Sequence, residues 1–397
     1  MKNIEIKIVR IAYGGAGVGY LPDGRICFVH GTAPDETVSV EIVTEKKNFV
    51  TARLNEVLSP SPDRIEVKSP VPGTVFMHLS YEAENRIKAA LLKDFILRNV
   101  PQMGNTCAFA APLIPPCPLG YRNKITLHAQ TQDGKTVLGY FMDDNCTVQD
   151  IPFCPLADSA IAERLTALRA DDAFMNSLAD GDTLTIRHAA NGVFHWKNHD
   201  IAAVPLLEFN TPSGVMKTAP ESFFQINSDG AALMQNRITE MFSELPELPK
   251  VFLDLYCGAG FFALAAARAG IRSIIGADID TAAADAAAGN LHANDFQHAR
   301  FFSAPLKRIV AKLIRQGGSA PLLLVDPPRQ GLDGKTICKI AGSSSVKNMI
   351  YVSCAPDTLT RDLKILSGAG FKIISTQMLN MFPRTAHLES ITWVRRP

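Results

Sequence analysis

No two cysteines in this chain stand in Cys-x-x-Cys spacing. All eight are scattered, at positions 27, 107, 117, 146, 154, 257, 338 and 354, which excludes a zinc ribbon and a small disulfide scaffold. No signal-like apolar segment opens the sequence, and no uninterrupted apolar run is long enough to span a bilayer. A cytoplasmic protein with reduced thiols and no membrane partner is therefore expected. Charge of one sign is lacking too: 40 Lys and Arg against 39 Asp and Glu leave a net charge of +1. No global basic field advertises nucleic acid, so any such surface has to be a local patch. Finally, 397 residues exceed what one typical core organises, and two or three domains are expected.

What is present divides into three stretches. Residues 4–57 read as five short strands with Gly-rich and charged turns, among them Tyr13-Gly14-Gly15-Ala16-Gly17 and Pro22-Asp23-Gly24. That pattern suits a small closed barrel of the OB type, a shape that binds single-stranded nucleic acid. Arg10, Lys46, Lys47 and Arg53 are its candidate phosphate contacts, although a charged turn is more often simply solvated. Four prolines in residues 58–72 indicate an extended linker. Residues 79–99 read as an amphipathic helix through Ile87, Leu91, Leu92, Phe95 and Ile96, 101–118 as a loop, and the rest to 215 as antiparallel strands with a helix at 158–170. From 216 onward strands and helices alternate. The candidate strands are 251–255, 274–278, 322–326 and 349–353, closed by an antiparallel hairpin of 371–378 and 389–394. The domains expected are thus an RNA-binding barrel (1–58), an α+β middle domain (59–215) and an α/β doubly wound catalytic domain (216–397), whose ligands sit at the carboxyl ends of its strands.

Four of those strands end in residues that carry chemistry. The first runs into Asp254-Leu255-Tyr256-Cys257-Gly258-Ala259-Gly260, a tight turn where the backbone can approach a ligand. The second ends at Asp278, about twenty residues beyond, placed to accept hydrogen bonds from ribose hydroxyls. The third ends in Asp326-Pro327-Pro328-Arg329 and the fourth in Ser353-Cys354-Ala355-Pro356. The turn lacks the third glycine of the dinucleotide fingerprint. It resembles the form used by S-adenosylmethionine-dependent methyltransferases, so that cofactor is preferred over NAD. Taken alone, Cys354 is equally well explained as a small core residue, and Glu389, in His387-Leu388-Glu389-Ser390, as an ordinary strand-edge carboxylate.

The segments ESFFQIN, FLDLYCGAGFFALAAA, GADID, LVDPPRQGL, YVSCAPDTLTRDL and HLESITWV follow one another in the order and spacing of the RNA uracil-C5 methyltransferase family. The glycine-rich front resembles a TRAM domain, an RNA-binding barrel, and YRNKI in the middle fits the same family. This resemblance implies a class I methyltransferase fold and transfer of a methyl group to C5 of a uridine in RNA. Uracil C5 is too weak a nucleophile to take that methyl unaided. A thiolate added to C6 makes C5 enolate-like, and a separate base must then remove the C5 proton. By position, Cys354 resembles the nucleophile and Glu389 the base. Gln225, Tyr256, Gly258, Gly260, Asp278 and Asp326 resemble the cofactor contacts. A front barrel of this kind is closer to the ribosomal-RNA members, so 23S rRNA is the favoured partner, with tRNA the alternative; a monomer is expected.

Two departures stand out. Many family members hold a four-iron, four-sulfur cluster on three cysteines before a helix start and a fourth farther on. Here Val71-Pro72-Gly73-Thr74-Val75-Phe76-Met77-His78-Leu79-Ser80-Tyr81 contains no cysteine, and Cys154, which resembles the fourth ligand, stands alone. Four thiolates are needed, so neither cluster nor metal is expected, and apolar packing around Phe76 and Met77 has to replace it. Phe261 occupies a position where the family commonly has a polar Asn. The rivals fare less well. RNA cytosine-C5 enzymes keep a second cysteine after the proline of the third-strand motif, and amino-group enzymes an aromatic residue where Arg329 stands. A non-catalytic RNA-binding or ribosome-assembly protein would have no use for Cys354 and Glu389.

Overall fold

A computed structural model describes residues 4–397. The front of the chain curls into a six-stranded sheet in the order Ile4–Lys7, Thr37–Glu45, Phe49–Ser59, Ile26–Val29, Gly17–Tyr20, Arg10–Ile11. Alternate residues close its core: Ile6, Ile8, Cys27, Val29, Val38, Val40 and Val50. The sixth strand arises because the stretch read as one strand, 4–10, breaks in two. Ile8 donates its amide to Glu36 and Val9 to Val18, so the chain changes partners there. Gly17 is obligatory in the adjoining bend, since a Cβ would lie 2.0 Å from Thr32 Oγ1. The proline-rich stretch that follows is pinned rather than free: Arg64 donates to the buried Glu36 carboxylate at 2.8 Å and to the Gly31 carbonyl at 2.7 Å.

In the middle region a five-stranded antiparallel sheet runs Val148–Asp150, Lys135–Phe141, Lys124–Gln132, Thr183–Ala189, Gly192–Lys197. Ile161 and Leu165 of the helix Ser159–Arg169 pack on its Ile125, Leu127, Leu184 and Ile186. The hairpin Leu207–Thr211 and Gly214–Thr218 does not join that sheet. Its Leu207, Phe209 and Met216 are buried in the core beside Phe252 and Phe262.

The C-terminal sheet has eight strands in the order Ala299–Ser303, Ser273–Asp278, Val251–Leu255, Leu322–Val325, Asn348–Ser353, Glu389–Arg395, Lys372–Leu379, Ala108–Phe109. The first five are parallel, and the expected antiparallel hairpin follows. Winding reverses at Val251–Leu255, so a crevice opens at its carboxyl end, where ligands of such sheets bind. Successive residues divide between two cores. Leu253, Leu323 and Tyr351 face the helices Leu306–Gln316, Gly334–Gly342 and Pro356–Gly368, while Phe252, Leu322 and Ile350 face Ser228–Ser243 and Phe261–Arg268. Two strands of this sheet escape the sequence reading: Ala299–Ser303, and Ala108–Phe109 from the stretch taken as a loop, which also holds the helical turn Pro101–Gly104. The helix Tyr81–Asn99, capped by Ser80, buries Leu92 and Ile96 in this same core against Leu363 and Met378.

Candidate active site

Directly after Leu255 the chain bends through three left-handed residues: Tyr256 at φ 63°, Gly258 at 50° and Gly260 at 85°. Such a conformation costs a non-glycine residue of order 1 kcal/mol or more and concentrates at functional turns. Asp278 holds the turn from the neighbouring strand, its Oδ2 accepting the Gly258 amide at 3.0 Å while Oδ1 accepts that of Asp280 at 3.0 Å. A cleft opens above, lined by Gln225, Tyr256, Gly258 and Asp326 together with Phe223 and Phe261. Four of the six residues expected to touch the cofactor therefore share one cleft, whereas Gly260 and Asp278 stand behind it. Gln225 is set by Asn123, whose Nδ2 donates to its carbonyl at 3.0 Å. The open volume is only about 40 Å³, narrowed by the two phenylalanines. Cys257 also lines it, but burial and the flanking carboxyls push its thiol well up.

One residue the sequence reading passed over is Asp254. Its side chain is fully buried at the foot of the turn, and neither carboxyl oxygen has a hydrogen-bond partner. Burial first, then repulsion from Asp326 and Asp278, push it up to about 8 against a weaker pull from the Ala263 amide. Asp326 is raised likewise, by burial and by Asp278. Three carboxyls facing one another without a basic partner make a pocket that favours a cation. S-adenosylmethionine, whose sulfonium and ammonium carry positive charge, fits that donor set.

The second half of the site follows from strand register. Ser353 pairs with Ser390 across the antiparallel strands Asn348–Ser353 and Glu389–Arg395. The next residue on one strand, Cys354, and the preceding residue on the other, Glu389, thus leave the sheet side by side. Ser390 Oγ donates to the Ser353 carbonyl at 3.1 Å, and Ser353 Oγ accepts the Ala355 amide at 3.2 Å, so both flanks are fixed. Cys354 is half-buried. Burial, then Glu389 and Asp326, push its thiol up to about 12, opposed by Arg329. Glu389 is buried with Oε2 unpartnered, and burial and Asp326 raise it well above the usual carboxyl range. Arg329 Nη2 lies 3.2 Å from His387 Nε2, and burial and that guanidinium drive His387 down to about 4, so the ring is neutral.

Residues 204–397 match the family model described as tRNA (Uracil-5-)-methyltransferase, and residues 2–54 match the TRAM domain. The chain belongs to the RNA uracil-C5 methyltransferase family. It is an S-adenosylmethionine-dependent RNA (uracil-C5)-methyltransferase. Similar relatives include the 23S rRNA (uracil(1939)-C(5))-methyltransferases of Pectobacterium atrosepticum, 27% identical over 98% of this chain and 93% of that one, and of Pseudomonas entomophila, 28% identical with the same coverage. Among solved structures, the Pyrococcus abyssi tRNA (uracil-54, C5)-methyltransferase in complex with S-adenosyl-L-homocysteine has the same fold. Its TM-score is 0.75 at 22% identity, over 98% of this chain and 100% of that one.

For an RNA uracil-C5 methyltransferase, the region before the helix Tyr81–Asn99 is built unusually. Phe76 and Met77 are buried, as the apolar expectation has it, but charge is buried with them. Lys88 is wholly enclosed, donating to Glu84 at 2.9 Å, Asn380 Oδ1 at 2.7 Å and the Phe382 carbonyl at 3.0 Å. The Arg384 amide donates to Glu84 at 2.9 Å and its guanidinium to the Leu79 carbonyl at 2.7 Å. This network ties the helix to the 380–387 loop, which leads directly into Glu389. No grouping of three or more His, Cys, Asp or Glu suited to a metal occurs among the described residues, and no helix there is long and apolar enough to cross a membrane.

Proposed function

We propose that this enzyme methylates a uridine through a covalent adduct between Cys354 Sγ and C6 of the base, with Glu389 removing the C5 proton. The observation that carries this reading is the Ser353–Ser390 register, which makes Cys354 and Glu389 neighbours across the two strands. The half-buried Cys354 loses its thiol proton to solvent, Sγ bonds to C6, and the C5–C6 π electrons move to C5. S-adenosylmethionine supplies the methyl group as an electrophile on its sulfonium. Glu389, which first has to shed the proton that burial favours at rest, takes the C5 proton as a carboxylate, the C5–C6 double bond re-forms and Cys354 leaves as thiolate. Burial suits Glu389 to this task, because a carboxylate whose conjugate acid is weak holds a proton firmly.

Gln225, Tyr256, Gly258, Gly260, Asp278 and Asp326 hold the cofactor in this reading, and Asp254, protonated at rest, gains charge only when the cationic cofactor sits above it. The narrow cleft has to widen on binding. Phe223, 70% exposed, is the lining residue with room to swing aside. The barrel (1–58) and middle domain (59–215) grip the RNA around a uridine flipped into the catalytic domain (216–397). The substrate we favour is 23S rRNA, supported by the names of the Pectobacterium and Pseudomonas relatives. Tritiated cofactor offered with purified 23S rRNA and with tRNA separates the two targets. RNA containing 5-fluorouridine tests the chemistry, since fluorine cannot leave as a proton. A protein–RNA adduct that accumulates in wild type and is lost in Cys354→Ala is expected. An adduct that persists in that variant overturns the assignment.

A further inference from the structure

The glycine bend of the barrel reaches toward the catalytic pair. Tyr13, 37% exposed, stands in that bend with its ring edge-to-face on Phe95 of the helix Tyr81–Asn99, centroids 5.5 Å apart. The approach depends on Gly15, at φ +90°, where a Cβ would lie 2.6 Å from Val75 Cγ2. The helix that carries Phe95 packs Leu92 and Ile96 against Leu359 and Leu363 of the helix Pro356–Gly368, which begins two residues beyond Cys354. The Tyr13 ring lines a cleft of about 280 Å³ between barrel and helix, formed by Arg10, Tyr13, Leu91, Asp94, Phe95 and Arg98. Asp94, the carboxylate of this cleft, lies 3.2 Å from Arg98, while Arg10 pairs with no carboxylate among the described residues. Arg53, a candidate phosphate contact by sequence, pairs with Glu41 and lies outside this cleft.

We propose that this seam is a subsite for an unstacked RNA nucleotide next in sequence to the target uridine, with its base on the Tyr13 ring beside Phe95 and its phosphate on Arg10 and Arg98. Aromatic faces flanked by guanidinium groups are how proteins hold single-stranded nucleic acid without reading its sequence. Continuity with the reaction site points to which nucleotide it is: the seam is built on the helix that packs against Pro356–Gly368, whose first turn follows Cys354, so a strand whose uridine lies at Cys354 runs toward it. The inference rests on the reading of that pair as the place of the target base. It also gives the barrel a defined task, which is to complete the substrate channel rather than only to add affinity.

Binding of fluorescein-labelled decauridylate to the full chain, followed by anisotropy over a range of salt, tests the subsite. Loss of one stacking partner in Tyr13→Ala weakens binding about five- to 100-fold, whereas Tyr13→Phe, which keeps the ring, stays within about twofold of wild type. Arg10→Gln and Arg98→Gln each reduce the slope of log affinity against log salt by about 0.7. Unchanged binding by Tyr13→Ala overturns the proposal. So does failure of the wild-type chain to bind decauridylate at low salt, or an effect confined to Lys46→Gln and Lys47→Gln, which lie outside this cleft. The two readings fail separately. Tyr13-dependent binding without any 5-fluorouridine adduct removes the covalent chemistry, and undiminished adduct formation in a Tyr13→Ala chain that binds normally removes the subsite.

Discussion

The resting state of Cys354, the proposed nucleophile, is open to direct measurement. Burial and two nearby carboxyls push the Cys354 thiol up to about 12, against an ordinary value of 9.0. Alkylation proceeds through the thiolate. At pH 7 the ionised fraction of such a thiol is about 10⁻⁵, compared with about 10⁻² for an unperturbed one, a difference of about a thousandfold. Iodoacetamide labelling, resolved by mass spectrometry of tryptic peptides, compares Cys354 with the exposed Cys117, Cys146 and Cys338 in the same sample. Partial burial alone also slows labelling, but it leaves the pH dependence unaltered. The test is therefore the slope: the Cys354 rate rises about tenfold per pH unit through pH 10, while the exposed cysteines level off near pH 9. Charge variants separate the causes. Arg329→Gln removes the favourable guanidinium and slows Cys354 labelling at every pH. Glu389→Gln speeds it, and does so at high pH, where the wild-type carboxyl is ionised. A Cys354 rate that levels off with the exposed thiols, or that is indifferent to Arg329, refutes the electrostatic account and leaves Cys354 as an ordinary thiol in a shallow recess.

Three further outcomes follow from the same geometry. Glu84→Ala leaves Lys88 enclosed without its carboxylate and costs about 3–5 kcal/mol, so thermal unfolding falls by roughly 6 °C or more; a shift of a degree or two would show the network to be structurally idle. Asp254 prefers its proton in the folded chain, with a value near 8 against an ordinary 3.8, so its contribution to stability declines as pH rises through that window, by up to about 5 kcal/mol. Asp254→Asn is accordingly more stable than wild type at pH 8 and equal to it near pH 4, and S-adenosylmethionine raises its melting temperature less than that of wild type. A melting difference that is the same at both pH values refutes this. Anaerobically purified protein carries no iron and lacks the broad absorbance near 400 nm (roughly, for a thiolate-held cluster); iron in stoichiometric amount would overturn that expectation.

What could be read from residues alone depended on the range of the interaction. Chemistry written in local spacing was legible: the turn at Gly258 and Gly260, the strand ends at Asp278 and Asp326, and the doubly wound order that puts them on one edge. The neighbourhood of Cys354 and Glu389 was legible only through resemblance, because the 34 positions between them say nothing of register until Ser353 is seen opposite Ser390. Ala108–Phe109 is too short to show a period, and Ala299–Ser303 is a half-exposed edge strand, so neither could be found from pattern. Glu84 and Lys88 are the sharpest case. Four apart on a helix, they read as a solvated surface pair worth a few tenths of a kcal/mol. The 380–387 loop, some 300 positions away, covers them and makes them the interior of a network. The same packing gives the network its bearing on catalysis. Charges on the helix Tyr81–Asn99 and on the 380–387 loop brace this region, and the loop they hold leads into Glu389. That junction also helps to position Glu389, so under the proposed mechanism a substitution at Glu84 or Lys88 that leaves the fold standing is expected to slow C5 proton removal before it weakens cofactor binding.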